Sequence, residues 1–436
     1  MRMQHDQDTP QELPAGDESN RVLELIDTAI KVSKGLDAAG ARALEAHETM
    51  HNRTEHARVS LGRAEREPRL LASRKKRKEK HHGKRKVSFF HYSYYDVAFK
   101  FFIEQVLDAE WTPVPPRTKR TIEIGSRYST DYVCTPFKHI LGDYIEALEA
   151  GADVLIQTAG PCRLGYYGEL HESILRDLGY EFDCLNFAYL AGKGIDEYVK
   201  AVKKINPNLS VKKGVRKLLS LAKMITDLDE AYDYYLAHAG AELEKGAFDR
   251  ALSAYHDEMR HATNDSAIAL AHQHGMDAMR SIPCRQGERI RIGIVGEFFT
   301  AVDQESNLNT EHRLLDMGVE LHRTVNLTNR YLSYSEPNLR VGVREYLAYD
   351  DGPTSTLTIS AAKKYAELGY DGIIHIKSAG CTPEIDCMPI LQQVSSDYHI
   401  PILYLSFDSQ TSDAGLDTRL EAFYDMLAMK KGKVLA

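Results

Sequence analysis

The sequence is poor in the features that would place it in several large classes. Six cysteines are spread over 436 residues, too few for the disulfide scaffold of a small secreted domain. No two of them form C-x-x-C, so the compact metal and redox motifs built on that spacing are absent. No run of 18 apolar residues occurs, which argues against a membrane-spanning helix. The opening stretch has no basic segment followed by an apolar block, so no signal peptide is evident and the expected compartment is the cytoplasm. Neither G-x-x-x-x-G-K-S/T nor a G-x-G-x-x-G after a strand is present, which argues against the common phosphate-cradling loops. G-x-S-x-G and H-E-x-x-H are missing as well.

What remains is an ordinary globular composition, with 43% hydrophobic and 27% charged residues. The length suits two to four domains. The net charge of -8 conceals one extreme: from Arg74 to Lys86, RKKRKEKHHGKRK, nine basic residues face one acidic residue. The rest of the chain therefore carries -16, which argues against a globular domain built for nucleic acid. The basic run itself reads as a solvated linker, or as an electrostatic contact with a partner or nucleic acid.

Four segments follow from the patterning. Residues 1–86 read as an arm: a polar, acidic start, then helical periodicity from VLELIDTAIKV, then the basic linker. Residues 87–192 show strand–helix rhythm, with strands expected at VSFFHY, Trp111–Val114 and Val154–Gln157. Residues 193–288 are nearly all helical, a subdomain or a long crossover. Residues 289–436 resume the rhythm, and IRIGIV, GIIHI and PILYL are near-continuous apolar runs, as parallel strands covered on both faces should be. GADVLIQTAGPC at 151–162 faintly repeats GYDGIIHIKSAGC at 369–381. The expected fold is α/β: two similar Rossmann-like parallel-sheet domains, a helical insertion between them and an extended helical N-terminal arm.

Ligands bind at the carboxyl ends of strands in such sheets. Cys162 and Cys381 fall there, and Cys134 shares the tripeptide C-T-P with Cys381. In both copies Thr can cap and Pro can take the first helical turn, so each cysteine should precede a helix N-terminus that favours a thiolate. Three thiolates from two domains suit an iron–sulfur cluster better than a closed zinc site, while buried core cysteines are the plainer alternative. Arg163, Tyr166 and Tyr167 flank Cys162; Glu384 follows Cys381 by three residues and Lys138 follows Cys134 by four. Each could position a proton or a partner, or could simply cap a helix and carry surface charge. A ligand-facing loop is expected after IVGEFF, with Asn307 and Asn309, and another contact at Asp408, Ser409, Thr418 and Arg419. Cys184, Cys284 and Cys387 read as bystanders, with Cys387 close enough to Cys381 in sequence for its role to stay open.

At these cysteines the sequence resembles a known family, the 2-hydroxyacyl-CoA dehydratase components and the CoA protein activase-related proteins. The matching pieces are PPRTKRTIEIG at 115–125, CTPFKHILGD at 134–143, GPCRLGYYGEL at 160–170, GIVGEFFTAVDQESN at 293–307, SAGCTPEI at 378–385 and SFDSQTSDAGLDTRLEAFYDML at 406–427. The resemblance implies a three-cysteine [4Fe-4S] cluster, carried here onto Cys134, Cys162 and Cys381, with Glu384, Arg163 and Lys138 as candidate catalytic residues. It implies a reductase or 2-hydroxyacyl-CoA dehydratase-like component, fed one low-potential electron by a separate ATP-hydrolysing activase, whose acyl-CoA or small-molecule substrate meets the open iron. The alternative is a non-catalytic accessory or activase-related module that binds a cluster or a partner enzyme. A double-cubane [8Fe-9S] cluster belongs to a related subgroup, and a homodimer or a related subunit is the assembly the resemblance suggests. The arm and basic run lie outside the resemblance.

Overall fold

Strand Lys86–Ser88 (β1) is central in a four-stranded sheet because both its edges find parallel partners. In the computed structural model, which describes residues 83–157, 167–187, 195–333, 336–347, 352–408 and 411–432, that sheet has the order β2-β1-β3-β4. Its other members are Glu110–Trp111 (β2), Val154–Gln157 (β3) and Asp183–Asn186 (β4). The second sheet repeats the order as β6-β5-β7-β8, from Arg291–Gly296 (β5), Glu320–Arg323 (β6), Gly372–Ser378 (β7) and Ile402–Phe407 (β8). All pairs are parallel, with Val87 opposite Val154 and Ile292 opposite Gly372. Every residue of β3 and of β7 is buried, as their apolar runs required. The expected pair of α/β domains is therefore present, and the faint repeat at 151–162 and 369–381 marks the third strand of each sheet in chain order. The N-terminal arm and most of the basic run fall in residues 1–82, outside the described residues.

Two local expectations need correction. The strand predicted for Trp111–Val114 is only Glu110–Trp111, ending with Thr112 N donating to Val87 O at 2.9 Å. Pro113 has no N–H to continue the ladder. The strand expected at VSFFHY is only Lys86–Ser88, and the chain goes on to helix Asp96–Phe101 (α1), which passes into a wide π-type turn at Phe102–Val106. The other helices of the first sheet are Lys119–Tyr128 (α2), Thr135–Glu149 (α3) and Tyr167–Asp177 (α4).

Residues 79–188 and 201–436 make one unit, so both sheets belong to it; the other unit takes residues 1–78 and 189–200. The described part of that other unit is the first half of helix Ile195–Ile205 (α5), where Lys200 pairs with Glu197 at 2.6 Å. The helical insertion continues with Val211–His238 (α6), Ala247–His261 (α7) and Asp265–Arg280 (α8). Asn264 caps α8 by accepting from Ala267 N at 3.0 Å. α6 ties the two sheets together through buried polar groups. Asp229 accepts from Tyr94 Oη at 3.1 Å, from Tyr95 Oη, and from Thr328 N at 2.8 Å. Arg323, 1% exposed, pairs with Glu311 at 2.9 Å and donates to Tyr94 Oη at 3.1 Å. Tyr232 of α6 donates to the same Glu311 at 2.7 Å. Helices of the second domain are Phe298–Val302 (α9), Thr310–Asp316 (α10), Glu336–Gly342 (α11), Gly352–Glu367 (α12), Thr382–Asp386 (α13), Met388–Tyr398 (α14) and Asp413–Lys430 (α15). Among the described residues no helix is long and apolar enough to cross a membrane.

One backbone position controls how β5 delivers its loop. Gly296 ends the strand at φ +136°, and a Cβ there would stand 1.9 Å from Ile376 O of β7. Neither β5 nor β7 can yield, because the two pair along Ile292–Gly296. Gly296→Ala is expected to cost at least about 3 kcal/mol, read as a shift of the urea midpoint. A loss below about 1 kcal/mol would contradict this close approach.

Candidate functional site

In both sheets the strand order reverses between the first and third strands, so the topological switch points lie at the carboxyl ends of β1, β3, β5 and β7. The residues there are Phe89 and Phe90 after β1, Gln157 at the end of β3, Glu297 to Phe299 after β5, and Gly380 and Cys381 after β7. All of them line one cavity of about 460 Å³. Its walls are chiefly aromatic and aliphatic, with Tyr92, Phe99, Phe187 and Tyr331 among them. Among the described residues no lysine or arginine lines it.

Cys134 and Cys381 both line this cavity although they lie in different domains. Cys134 is the N-cap of α3 and Cys381 the N-cap of α13, each with a proline in the first turn, as the shared C-T-P predicted. The start of α3 is pinned to the far sheet: Thr135 N donates to Ser378 Oγ at 3.0 Å and Thr135 Oγ1 to Phe407 O at 3.4 Å. Gly380 packs against the same point: a Cβ built there would stand in ordinary contact, 3.4 Å from Cys134 Cα. The Cys134 sulfur shares a 2.9 Å hydrogen bond with Tyr167 Oη. The Glu384 backbone N–H is directed at the Cys381 sulfur.

The expected thiolate preference at Cys381 does not hold in the metal-free chain. Burial first, and then the Glu297 and Glu384 carboxylates, push its thiol well above the usual range. α13 is only five residues long, and a dipole that short cannot offset two carboxylates. Glu297 caps α9, accepting from Phe299 N at 2.7 Å, Thr300 N at 2.8 Å and Thr300 Oγ1 at 2.5 Å. Burial raises its carboxyl while these donors oppose the rise.

The remaining sequence-predicted residues fall in several places. Cys162 and Arg163 lie outside the described residues; Gln157 and Tyr167, which flank that segment, both line the cavity. Lys138 is half-buried on α3, and its carbonyl abuts Gly125 of α2. Glu384 is fully buried rather than on a helix surface. Its carboxylate accepts from Thr358 Oγ1 at 3.0 Å and lies 2.6 Å from His375 Nε2. Asn307 is structural, donating to Thr300 O at 2.9 Å and capping α10 through Thr310 N at 3.1 Å, while Asn309 takes the left-handed position before α10. Thr418 bonds within α15, Arg419 reaches back to Tyr404 O at 2.5 Å, and Asp408 closes a turn with Thr411; Ser409 lies outside the described residues.

Cys387, read as a bystander, is fully buried beside Glu384 and His375, and these three form one candidate metal-binding group. Asp227, Glu230 and His272 form another on the helical insertion, where Asp227 is already paired with Lys223 at 2.9 Å. Sequence reading passed over His375, although an ionisable residue inside the apolar strand GIIHIKS was a usable signal. It also passed over Arg117, Asp143 and Asp303, which are distant in sequence and meet between the domains.

His171 borders the cavity as a neutral imidazole whose tautomer follows from its partners. Nε2 donates to Phe137 O at 2.9 Å and Nδ1 accepts from Gln157 Nε2 at 3.2 Å. Burial lowers its pKa to about 4, below the ordinary 6.5 of the unfolded chain. The unfolded state thus binds the extra proton between these values, so this contribution is complete above about pH 6.5 and lost as pH falls toward 4. The stability difference between the metal-free chain and its His171→Gln variant is expected to shrink by about 3 kcal/mol over that window. A difference independent of pH, measured by urea titration, would refute a neutral His171.

Residues 348–427 match the family model described as 2-hydroxyglutaryl-CoA dehydratase, D-component, the family that the sequence motifs resemble. The matched stretch contains Cys381, Glu384 and Cys387, whereas Cys134 and Cys162 precede it. No curated protein matches the chain.

Proposed function

We propose that this chain is an iron–sulfur component of a dehydratase–activase type system. In this reading it is an accessory or activase-related module that holds a [4Fe-4S] cluster on Cys134, Cys162 and Cys381 and engages a partner enzyme. The observation that carries it is the meeting of Cys134 and Cys381, from two domains, at one apolar cavity built on both switch points. The residues present fit the group. Cysteine donors, an N–H aimed at one sulfur, a phenol on the other and an apolar wall are the surroundings that tune such clusters. When bound, the cluster supplies one-electron chemistry at low potential, with one iron not held by cysteine. The chain's own contribution is to hold the sulfurs in place through Tyr167 and the Glu384 N–H, and to exclude water with Phe89, Phe90, Phe298 and Phe299. A separate ATP-hydrolysing activase is the electron donor that the family link supports.

A second reading makes the chain itself a reductase or 2-hydroxyacyl-CoA dehydratase-like enzyme. The cavity volume favours it, since about 460 Å³ falls within the ~300–1,000 Å³ of small-molecule sites. Glu297 would then be the carboxyl group that faces the substrate.

Anaerobic reconstitution, with iron and acid-labile sulfide counted per chain, tests the cluster. About four of each supports the three-cysteine site, and about eight iron points to the [8Fe-9S] form. Folded protein that takes up neither would overturn the proposal. A substrate-dependent change in the spectrum of the reduced cluster would select the second reading.

A further inference from the structure

We infer that His375, Glu384 and Cys387 form a second metal site, for a single zinc or ferrous ion, inside the second α/β domain. None of the three lines the cavity between the domains. The site is assembled from β7, which carries His375, from α13, which carries Glu384, and from the junction with α14, where Cys387 ends one helix and begins the next. An imidazole nitrogen, a carboxylate oxygen and a sulfur lie within 4.8 Å of one another. All three residues are 0% exposed.

Two polar atoms at this corner lack a partner. His375 Nδ1 and Tyr404 Oη are buried without a hydrogen-bond partner, and the Tyr404 ring stands edge-on to the imidazole at 5.6 Å. Buried polar atoms are almost always satisfied; the ion would sit on the Nε2 side of the ring, so Nδ1 is left as the nitrogen that a ligating histidine gives to a second partner, and the Tyr404 hydroxyl as a group open to a bound water. His375 Nε2 and Glu384 Oε2 now share a proton at 2.6 Å, and the Cys387 sulfur sits 3.6 Å from the same oxygen. A cation replaces that proton when the three groups become ligands.

The donor set selects the metal. One nitrogen, one sulfur and one oxygen suit zinc or ferrous iron, whereas magnesium and calcium want oxygen alone. Complete burial gives the site a structural role. The ion would clamp the α13–α14 corner to β7, and so fix the Glu384 backbone whose N–H is directed at the Cys381 sulfur.

The experiment is an anaerobic titration of the chelator-treated full chain with cobalt(II), followed by zinc competition. One equivalent of cobalt is expected, with a thiolate charge-transfer band that zinc abolishes. The band should survive replacement of Cys134 and Cys381 together by serine and should vanish in Cys387→Ser. His375→Gln, which keeps a polar side chain in the strand, should weaken cobalt binding at least ~10-fold and serves should the cysteine variant fail to fold. A band that persists in Cys387→Ser, or undiminished affinity in His375→Gln, would overturn the site, as would the absence of any tight cobalt. Cluster reconstitution reads Cys134 and Cys381 separately, so the two sites can fail independently.

Discussion

Arg117→Ala is expected to destabilise the protein by about 3–5 kcal/mol, the largest loss foreseen for a residue outside the cavity. The guanidinium is 5% exposed and donates to Asp143 at 2.7 and 3.0 Å, to Asp303 at 2.5 Å and to His91 O at 2.7 Å. Its face lies over the Phe299 ring at 5.1 Å. Asp143 comes from α3 of the first domain and Asp303 follows α9 of the second, so one cation joins the two halves that form the cavity. Removing it leaves two buried carboxylates without their cation, Asp143 keeping the His91 N–H at 3.0 Å and Asp303 the Ser306 N–H at 3.0 Å and the Ser306 hydroxyl. That cost is a large share of the total stability of an ordinary domain, about 5–15 kcal/mol. Burial already pushes the Asp143 carboxyl upward, and Arg117 is the chief force against it. In the variant the folded state therefore binds a proton more readily than the unfolded chain, and the deficit should narrow as pH falls. Arg117→Lys should lie in between, because it keeps the charge and loses the planar fork. Urea titrations of the three proteins at two pH values would measure this, and a loss for Arg117→Ala under about 1 kcal/mol would remove the interdomain role.

Cys381→Ser is expected to abolish cluster assembly while leaving the fold intact. Serine is a good N-cap, so α13 keeps its first turn, and the Glu384 N–H retains an acceptor. Thiolate is the preferred ligand of an iron–sulfur cluster, so iron retained after anaerobic reconstitution should fall from about four per chain to below about one. Cys134→Ser should do the same and also replace the sulfur that meets the Tyr167 hydroxyl at 2.9 Å. Cys284→Ser is the control, because that half-buried thiol only donates to Ile282 O at 3.5 Å and does not line the cavity. Full iron in Cys381→Ser with unchanged far-ultraviolet dichroism would exclude Cys381 as a ligand.

Much of the architecture was legible because its signals are local. Apolar runs at IRIGIV and GIIHI announce strands covered on both faces, and C-T-P announces a capped helix start wherever it occurs. The limits are equally physical. Pro113 truncated a strand whose residue types otherwise suited it. Glu384 resembles a surface charge in sequence, since nothing local reveals that Thr358 and His375 enclose it. Cys387 looked incidental for the same reason.

The sequence by itself determined the two strand–helix halves, the helical stretch between them and the cysteines that begin helices, because periodicity, proline and capping act within a few residues. Tertiary structure alone decided that Cys134 meets Cys381, that Arg117 faces two aspartates, and that His375, Glu384 and Cys387 converge. The first two meetings depend on how the two sheets are docked, and the third on how β7 packs against the α13–α14 corner within one domain; both are set by summed packing and burial rather than by local pattern. Burial also decided the charge state: the helix start at Cys381 favours a thiolate, yet desolvation and two carboxylates hold the proton on.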